Sequence, residues 1–300
     1  MTPFAAGTLW DEVRRASRRG LDSGALWSIP THAQVIEDGG VAFAVRVVDD
    51  LQRKGRTRWQ AATDAGGRTG NPFLPYDEDL YVAHVSDTHV CLLNKFNVLD
   101  HHLLVVTAGF EDQRTLLTEA DFRALWSCMA EVDGLGFYNG GVEAGASQPH
   151  KHLQLAPFPL GPGGGTGTPV DGIIEAACAA GSSGHSAALP FVHAAIRLDD
   201  LPVDAETSGQ ALRERYLDLL DRVDLAPDRT APLPRQAAPY NLLLTRSWML
   251  AVPRREEFFE TLSLNALAFA GGLLVKDEVE LARVREVGPM ALLRHCGVAS

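Results

Sequence analysis

Two stretches of the chain repeat apolar residues at helical spacing behind a capping sequence. Thr8-Leu9-Trp10-Asp11 reads as a capping box that opens a helix to about Arg19, with Gly20 as its stop. Thr118-Glu119-Ala120-Asp121 opens a second helix. There Phe122, Leu125, Trp126 and Met129 recur at steps of three and four, which places them on one face, and Gly134 ends the run. Leu212, Tyr216, Leu219 and Val223 mark a third helix. Short apolar and β-branched runs at 41–48, 80–85, 90–93 and 103–107 read as strands, and 241–245 and 248–252 as a later pair joined by Arg246-Ser247. Several of these strands follow one another with no helix between them. That arrangement predicts an α+β fold, an antiparallel β-sheet flanked by helices.

The pattern breaks at Gly161-Pro-Gly-Gly-Gly-Thr-Gly-Thr-Pro169, and small residues continue through Ser182-Ser183-Gly184. Residues 161–188 therefore read as a flexible connection between an N-terminal part, 1–160, and a C-terminal part, 189–300. No internal repeat is visible. The chain has 300 residues, of which 46% are hydrophobic and 22% charged, ordinary values for a globular protein. Its net charge of −11 argues against a partner such as duplex DNA, which a basic face must hold, and leaves small nucleotides open. No run reaches the roughly 18 apolar residues of a membrane helix. Arginines and acids occupy the place of a signal peptide's apolar core. Cys91, Cys128, Cys178 and Cys296 form no C-x-x-C pair, so neither a disulfide framework nor a cysteine zinc site is expected. A cytoplasmic location is the expectation.

The chemistry concentrates in Phe137-Tyr-Asn-Gly-Gly-Val-Glu-Ala-Gly-Ala-Ser-Gln-Pro-His-Lys-His-Leu-Gln-Leu155. A loop rich in small residues leads through Pro149 into His-Lys-His-Leu-Gln. If the last part is a strand, His150, His152 and Gln154 share one face, and Lys151, Leu153 and Leu155 share the other. Two imidazoles and an amide in a row suit a polar cavity better than an apolar core. Neutral imidazole is a nucleophile, and the Gln154 amide can donate to a phosphate oxygen without adding charge. Gly140, Gly141, Gly145 and Ala146 would let backbone N–H groups approach an anion, and Ser147 adds a hydroxyl. Two other readings stay open at this point. His-x-His on a strand is also a metal pair, for which His101, His102 or Glu143 could be the third ligand. The histidines could also be ordinary core or solvated residues.

The segment resembles the diadenosine tetraphosphate (Ap4A) phosphorylases, or ATP adenylyltransferases, of the histidine-triad (HIT-like) superfamily. The signature is the glycine-rich loop followed by His-x-His-x-Gln, here Gly145-Ala-Ser-Gln-Pro-His150-Lys-His152-Leu-Gln154. The likeness extends to Asn71-Pro-Phe-Leu-Pro75, residues 91–107, Pro239-Tyr-Asn-Leu-Leu-Leu-Thr245, residues 248–254 and residues 265–276. It implies a HIT-like fold, with the nucleotidyltransferase domain in 1–160 and a C-terminal ATP adenylyltransferase domain in 189–300 that completes the site. It implies that His152 is the nucleophile, with His150 beside it, and that Gln154 contacts the nucleotide phosphate. Asn139, Gly145, Ala146, Ser147 and Gln148 match the substrate loop, and Asn94 and Lys95 match a nucleotide-binding pair. Lys54 matches a phosphate-binding lysine, and Asn265, Gly272 and Lys276 match a C-terminal contribution to the polyphosphate site.

The implied reaction is Ap4A plus phosphate giving ATP plus ADP, reversible and through an adenylyl-histidine. A divalent cation such as magnesium would accompany the nucleotide, with no prosthetic group. Sugar-1-phosphate uridylyltransferases share His-x-His-x-Gln, but they carry Pro where this chain has Lys151, and many have a C-x-x-C pair. Dinucleoside polyphosphate hydrolases carry His in place of Gln154. A non-catalytic dinucleotide-binding protein is the alternative of another class.

Overall fold

The structure, a computed structural model, describes residues 3–49, 70–162, 165–179, 181, 183–202, 204–227 and 234–300. Lys54 lies outside the described residues.

The chain opens with helix α1 (Leu9–Ser23), then strands β1 (Thr31–Asp38) and β2 (Val41–Val48). Strands β3 (Tyr81–His84), β4 (His89–Leu93) and β5 (Leu103–Thr107) follow, then α2 (Glu119–Glu131), β6 (Gly134–Gly140) and β7 (His152–Pro157). Next come α3 (Asp171–Ala177), β8 (Ser183–Gly184), β9 (Ala194–Arg197) and α4 (Ala205–Arg222). The rest is β10 (Tyr240–Leu244), β11 (Trp248–Pro253), β12 (Phe258–Phe259), β13 (Leu262–Ser263), α5 (Ala266–Phe269), β14 (Gly272–Val275), α6 (Glu278–Val287) and α7 (Pro289–Cys296).

Nine strands form one sheet in the order β3-β4-β5-β7-β6-β10-β11-β9-β8, with every pair antiparallel. The expected α+β architecture is therefore present. The sheet does not stop between the two parts of the chain. β6 pairs with β10, with Asn139 opposite Asn241. A second sheet, β1-β2-β14, also joins the two parts, through the parallel pairing of β2 with β14.

Both faces of the main sheet are covered, which is why β5 reads as the continuous apolar run Leu-Leu-Val-Val rather than an alternation. One face packs against α1, α2 and α4. There Leu103, Val105, Leu153 and Leu155 meet Phe122, Leu125, Trp126, Leu212 and Tyr216. Each fully buried side chain of this kind stabilises the fold by roughly 1.5–3 kcal/mol. Over the C-terminal strands, the other face packs Phe137, Leu243 and Leu250 against Phe43, Val45, Phe269 and Leu273. A smaller cluster, Phe73, Val90, Leu92, Leu104 and Val106, covers its N-terminal end. The site described below lies between these two clusters.

The α2 capping box forms as read: the Thr118 hydroxyl accepts from Asp121 N–H, and the Asp121 carboxylate accepts from Thr118 N–H. The one expected at Thr8 does not. Its hydroxyl turns back to Ala5 O, and the Glu131 carboxylate caps α1 instead, accepting from Gly7 N–H and from Leu9 N–H at 2.7 Å. α1 also runs through Gly20 and ends at Gly24 in the left-handed region.

The strands that escaped the sequence pattern include β1 and β6, as well as the shorter β8, β9, β12, β13 and β14. β1 is rich in polar residues because much of it faces solvent. β6 carries glycines for steric reasons: a Cβ at Gly134 would lie 2.4 Å from Ala156 O of the paired strand. Within 161–188, expected as a flexible connection, α3 buries Ile174, and Asp171 accepts from Trp248 Nε1 at 2.9 Å. Among the described residues no helix is long and apolar enough to cross a membrane.

Candidate active site

The segment entering β7 is clamped from below by residues 111–113. Lys151 N–H donates to Glu111 O and Gln113 N–H to Pro149 O, both at 2.8 Å. The Gln113 side chain then ties two strands. Its Oε1 accepts from His152 N–H at 2.9 Å, and its Nε2 donates to Asn139 O at 3.0 Å. His150 precedes the regular strand in an isolated bridge with Asp112, yet its ring shares the His152 face, and both pack against Phe73.

The hydrogen bonds fix both imidazole tautomers. Asn71 Oδ1 accepts from Phe73 N–H, so its Nδ2 is the end that donates to His150 Nδ1, at 2.8 Å. The His150 proton therefore sits on Nε2 and goes to Thr107 O at 2.9 Å. Both nitrogens are engaged by the protein, which leaves His150 without a lone pair for a metal. His150 is thus buried but satisfied. His152 has the opposite tautomer. Its Nδ1–H donates to His150 O at 2.8 Å, and Nε2 keeps its lone pair with no partner among the described residues. Burial lowers the His152 pKa to about 4, so the ring is neutral at neutral pH. His150 is lowered for the same reason.

Lys151 points through the sheet to the helix side. It is fully buried, with Nζ 2.9 Å from Asp121 and 3.0 Å from Glu111. Burial works to raise the Asp121 pKa, but His89 at 3.0 Å and Lys151 outweigh it and leave the carboxyl at about 2. The carboxylate that caps α2 thus also pins the residue between the two histidines.

Gln154 lies two residues along β7, opposite Leu104 and Phe137 and on the His152 face. His102 lies beside it, and burial holds its pKa down at about 4. Asn94 Oδ1 accepts from Phe96 N–H, and Asn94 Nδ2 donates to His102 Nδ1 at 3.2 Å.

The loop before β7 makes a tight turn. Gly145 has φ +87, and a Cβ there would lie 2.8 Å from Asn265 Cβ, so glycine is required on both counts. The expected donors Gly145 N–H and Ala146 N–H are committed to Val142 O and Gly141 O. Within the described residues, the Ser147 hydroxyl and the N–H groups of Ser147 and Gln148 have no partner, and Gln148 Oε1 is buried and unpaired. Asn139 is buried. Its Oδ1 accepts from Asn241 Nδ2 at 2.9 Å and Ala266 N–H at 3.1 Å, and its Nδ2 donates to Gly145 O at 3.4 Å. Arg254 backs this network. It donates to Asn241 Oδ1, Cys296 O and Leu264 O, and burial lowers its pKa to about 10.

The structure thus brings Asn139, Gly145 and Asn265 together, and links Asn139 to His152 through Gln113. Asn94 joins the Gln154 side. Lys95 is half exposed and 3.9 Å from Asp77. Gly272 lies on β14 beside Leu267. Lys276, past the end of that strand, contacts Thr261 O at 3.2 Å and Glu280 at 3.5 Å. Asn71, Thr107, Asn241 and Arg254 lie in segments that carry the resemblance but are not among the expected site residues, and Gln113 lies outside those segments.

A pH dependence follows. The unfolded chain protonates His152 near 6.5, while the folded protein resists until about 4. Between those values the unfolded state binds the extra proton, so stability is full above about 6.5 and falls as pH drops toward 4. Urea denaturation followed across pH 4–8 checks this; stability that stayed level down to pH 4.5 would contradict it.

Sequence profiles match along almost the whole chain. That of the Ap4A phosphorylase N-terminal domain covers residues 1–176, and that of the ATP adenylyltransferase C-terminal domain covers 187–299. The chain belongs to the Ap4A phosphorylase family. Diadenosine 5',5'''-P1,P4-tetraphosphate phosphorylase 2 of Saccharomyces cerevisiae is 30% identical over 256 residues, 75% of each chain. Protein APA1 of the same yeast is 26% identical over 228 residues, 69% of this chain and 68% of that protein. The crystal structure of yeast Ap4A phosphorylase Apa2 shares the fold, with a TM-score of 0.78 and 23% identity over 99% of both chains. That yeast enzyme has also been solved in complex with Ap4A. Family membership makes this chain a nucleotidyltransferase of the ATP adenylyltransferase group.

Proposed function

We propose that the protein splits Ap4A by phosphorolysis, through an adenylyl group carried on His152. One observation carries the mechanism: Nδ1–H of a neutral His152 is held by His150 O, which leaves Nε2 with a free lone pair beside Gln154. Nε2 attacks the α-phosphorus, an N–P bond forms, the P–O bond to the leaving group breaks, and ATP departs. The ring becomes a cation, which the His150 carbonyl stabilises through the Nδ1–H. A phosphate oxygen then attacks the same phosphorus, the N–P bond breaks, ADP leaves and His152 returns neutral. The proton on Nδ1 stays in place through both steps.

Charge building on the phosphoryl oxygens needs fixed donors. Gln154, Ser147 and the N–H groups of Ser147 and Gln148 are suited to this, and Gln148 Oε1 is suited to accept from the nucleotide. Lys54, Lys95 and Lys276 would balance the polyphosphate, with Asn265 and Gly272 shaping its C-terminal wall. Magnesium would arrive on the polyphosphate as part of the substrate. The engaged amides of Asn94 and Asn139 suit them to holding His102 and the loop in place. We place the reaction in the cytoplasm, a location that the four free, buried cysteines support.

The test incubates the protein with Ap4A and magnesium, with and without phosphate, and separates the nucleotides. ATP and ADP in equal amounts, formed only with phosphate, is the expected result. ATP and AMP formed without phosphate would replace this reading with hydrolysis.

A further inference from the structure

We propose that His102 is a positioning residue for nucleotidyl transfer: it fixes which end of the Gln154 amide faces the phosphate. The inference rests on the reading of His152 above.

An amide is a weak choice for an electrostatic donor unless something orients it. Its two ends have similar shape, and only the NH2 end can stabilise charge building on a phosphoryl oxygen. If the carbonyl faced the substrate instead, it would repel that charge. Within the described residues, neither end of the Gln154 amide is bonded to backbone.

His102 is placed to make that choice. Leu104 stands opposite Gln154 in the β5–β7 pairing, so His102, two residues before Leu104, is a diagonal neighbour on the same face. Its ring reaches across β7 to Phe137, with centroids 5.7 Å apart, and so lies alongside the Gln154 side chain. The residue is 5% exposed, and its Nε2 is buried without a hydrogen bond.

The remaining question is whether Nε2 carries a proton, and the neighbouring bonds answer it. Phe96 N–H fixes the Asn94 amide, and the Asn94 NH2 donates to His102 Nδ1. Nδ1 must therefore be the lone-pair nitrogen, and in a neutral ring the proton sits on Nε2. Burial keeps the ring neutral. A buried N–H next to an amide selects the carbonyl end, because the alternative sets donor against donor and leaves both unsatisfied. With Oε1 turned to His102, the Gln154 NH2 is left for the phosphate. The chain Phe96–Asn94–His102–Gln154 thus carries orientation from the loop after β4 to the transfer site, and no proton moves along it.

Kinetics and ring spectroscopy test this separately. His102→Leu should slow the first turnover by about 10–100-fold, less than the ~10²–10³-fold of losing an oxyanion donor outright, with the KM for Ap4A changed less than threefold. His102→Gln, whose amide nitrogen can stand where Nε2 was, should recover to within about fivefold of the native rate. In a Gln154→Ala background, His102→Leu should add nothing further. Multiplicative losses in the double variant, or equal losses in His102→Leu and His102→Gln at native thermal stability, would overturn the proposal. Nitrogen NMR of the histidine rings needs neither turnover nor a stable His102 variant. It should find the His102 proton on Nε2, with that resonance shifted by Gln154→Ala. A proton on Nδ1 would overturn the proposal even if phosphorolysis is confirmed. Absence of Ap4A turnover by the native protein would sink the wider reading and leave the ring result standing.

Discussion

His152→Ala should lower turnover of Ap4A by about 10⁴-fold or more, because it removes the atom that forms the covalent bond rather than one that assists it. Gln154, the loop donors and the lysines remain, so affinity for Ap4A should stay within a few fold. Native protein mixed with Ap4A labelled on the α-phosphorus, without phosphate, should retain label after denaturation. The bond should break in acid and survive in base, as expected of a phosphoramidate. The variant should retain none. Label that persisted in His152→Ala would move the nucleophile elsewhere, and His150 would be a poor substitute because both its nitrogens are bonded. The same variant should also be less sensitive to mild acid than the native protein, since one of the groups that the unfolded state protonates first is gone.

Lys151→Met should have the largest effect on stability. The ammonium group is 0% exposed and lies between Asp121, itself 1% exposed, and Glu111. Methionine fills much of the same volume, so the loss is mainly electrostatic. The Asp121 charge stays buried, with His89 and Thr118 as its remaining partners. Breaking a buried pair from one side costs about 3–5 kcal/mol, a large share of the roughly 5–15 kcal/mol that holds a typical domain. Urea denaturation of the two proteins measures it, and a difference under about 1 kcal/mol would show that the pair contributes little. Activity should fall as well, below the unfolding transition, because Lys151 sets the depth at which the strand between His150 and His152 sits. The residue that separates this chain's motif from the uridylyltransferase pattern is thus part of the supporting structure under the site.

What could be read in the sequence was local. The α2 box, the helical stripe on α4 and the His152–Gln154 face depend on residues a few positions apart, and period and capping are visible at that range. The glycines of β6 signal turns and so read as loop; here they serve the close approach of β7 and α2. The Thr8 cap failed because the Glu131 carboxylate, distant in the chain, bonds the same end more strongly. The supporting roles of residues around the site were not legible for the same reason. Gln113, Asn71 and Arg254 act on groups tens of residues away, through single hydrogen bonds that leave no periodic trace. The motif marks the candidate site, while the tautomers that the proposed mechanism requires depend on partners only the fold brings close.

The pairing of β6 with β10, and of β2 with β14, has a consequence for how this chain can be divided. A cut between α3 and β9 would separate the two profile-matched regions in sequence, yet each fragment would carry two raw sheet edges, with unpaired backbone donors and acceptors flanked by apolar side chains. Neither piece would behave as an independent module. Expressed alone, each should aggregate; expressed together, the complementary edges should zip the fragments back into a single enzyme, one half bringing the nucleophile and the other the wall against which its loop is set.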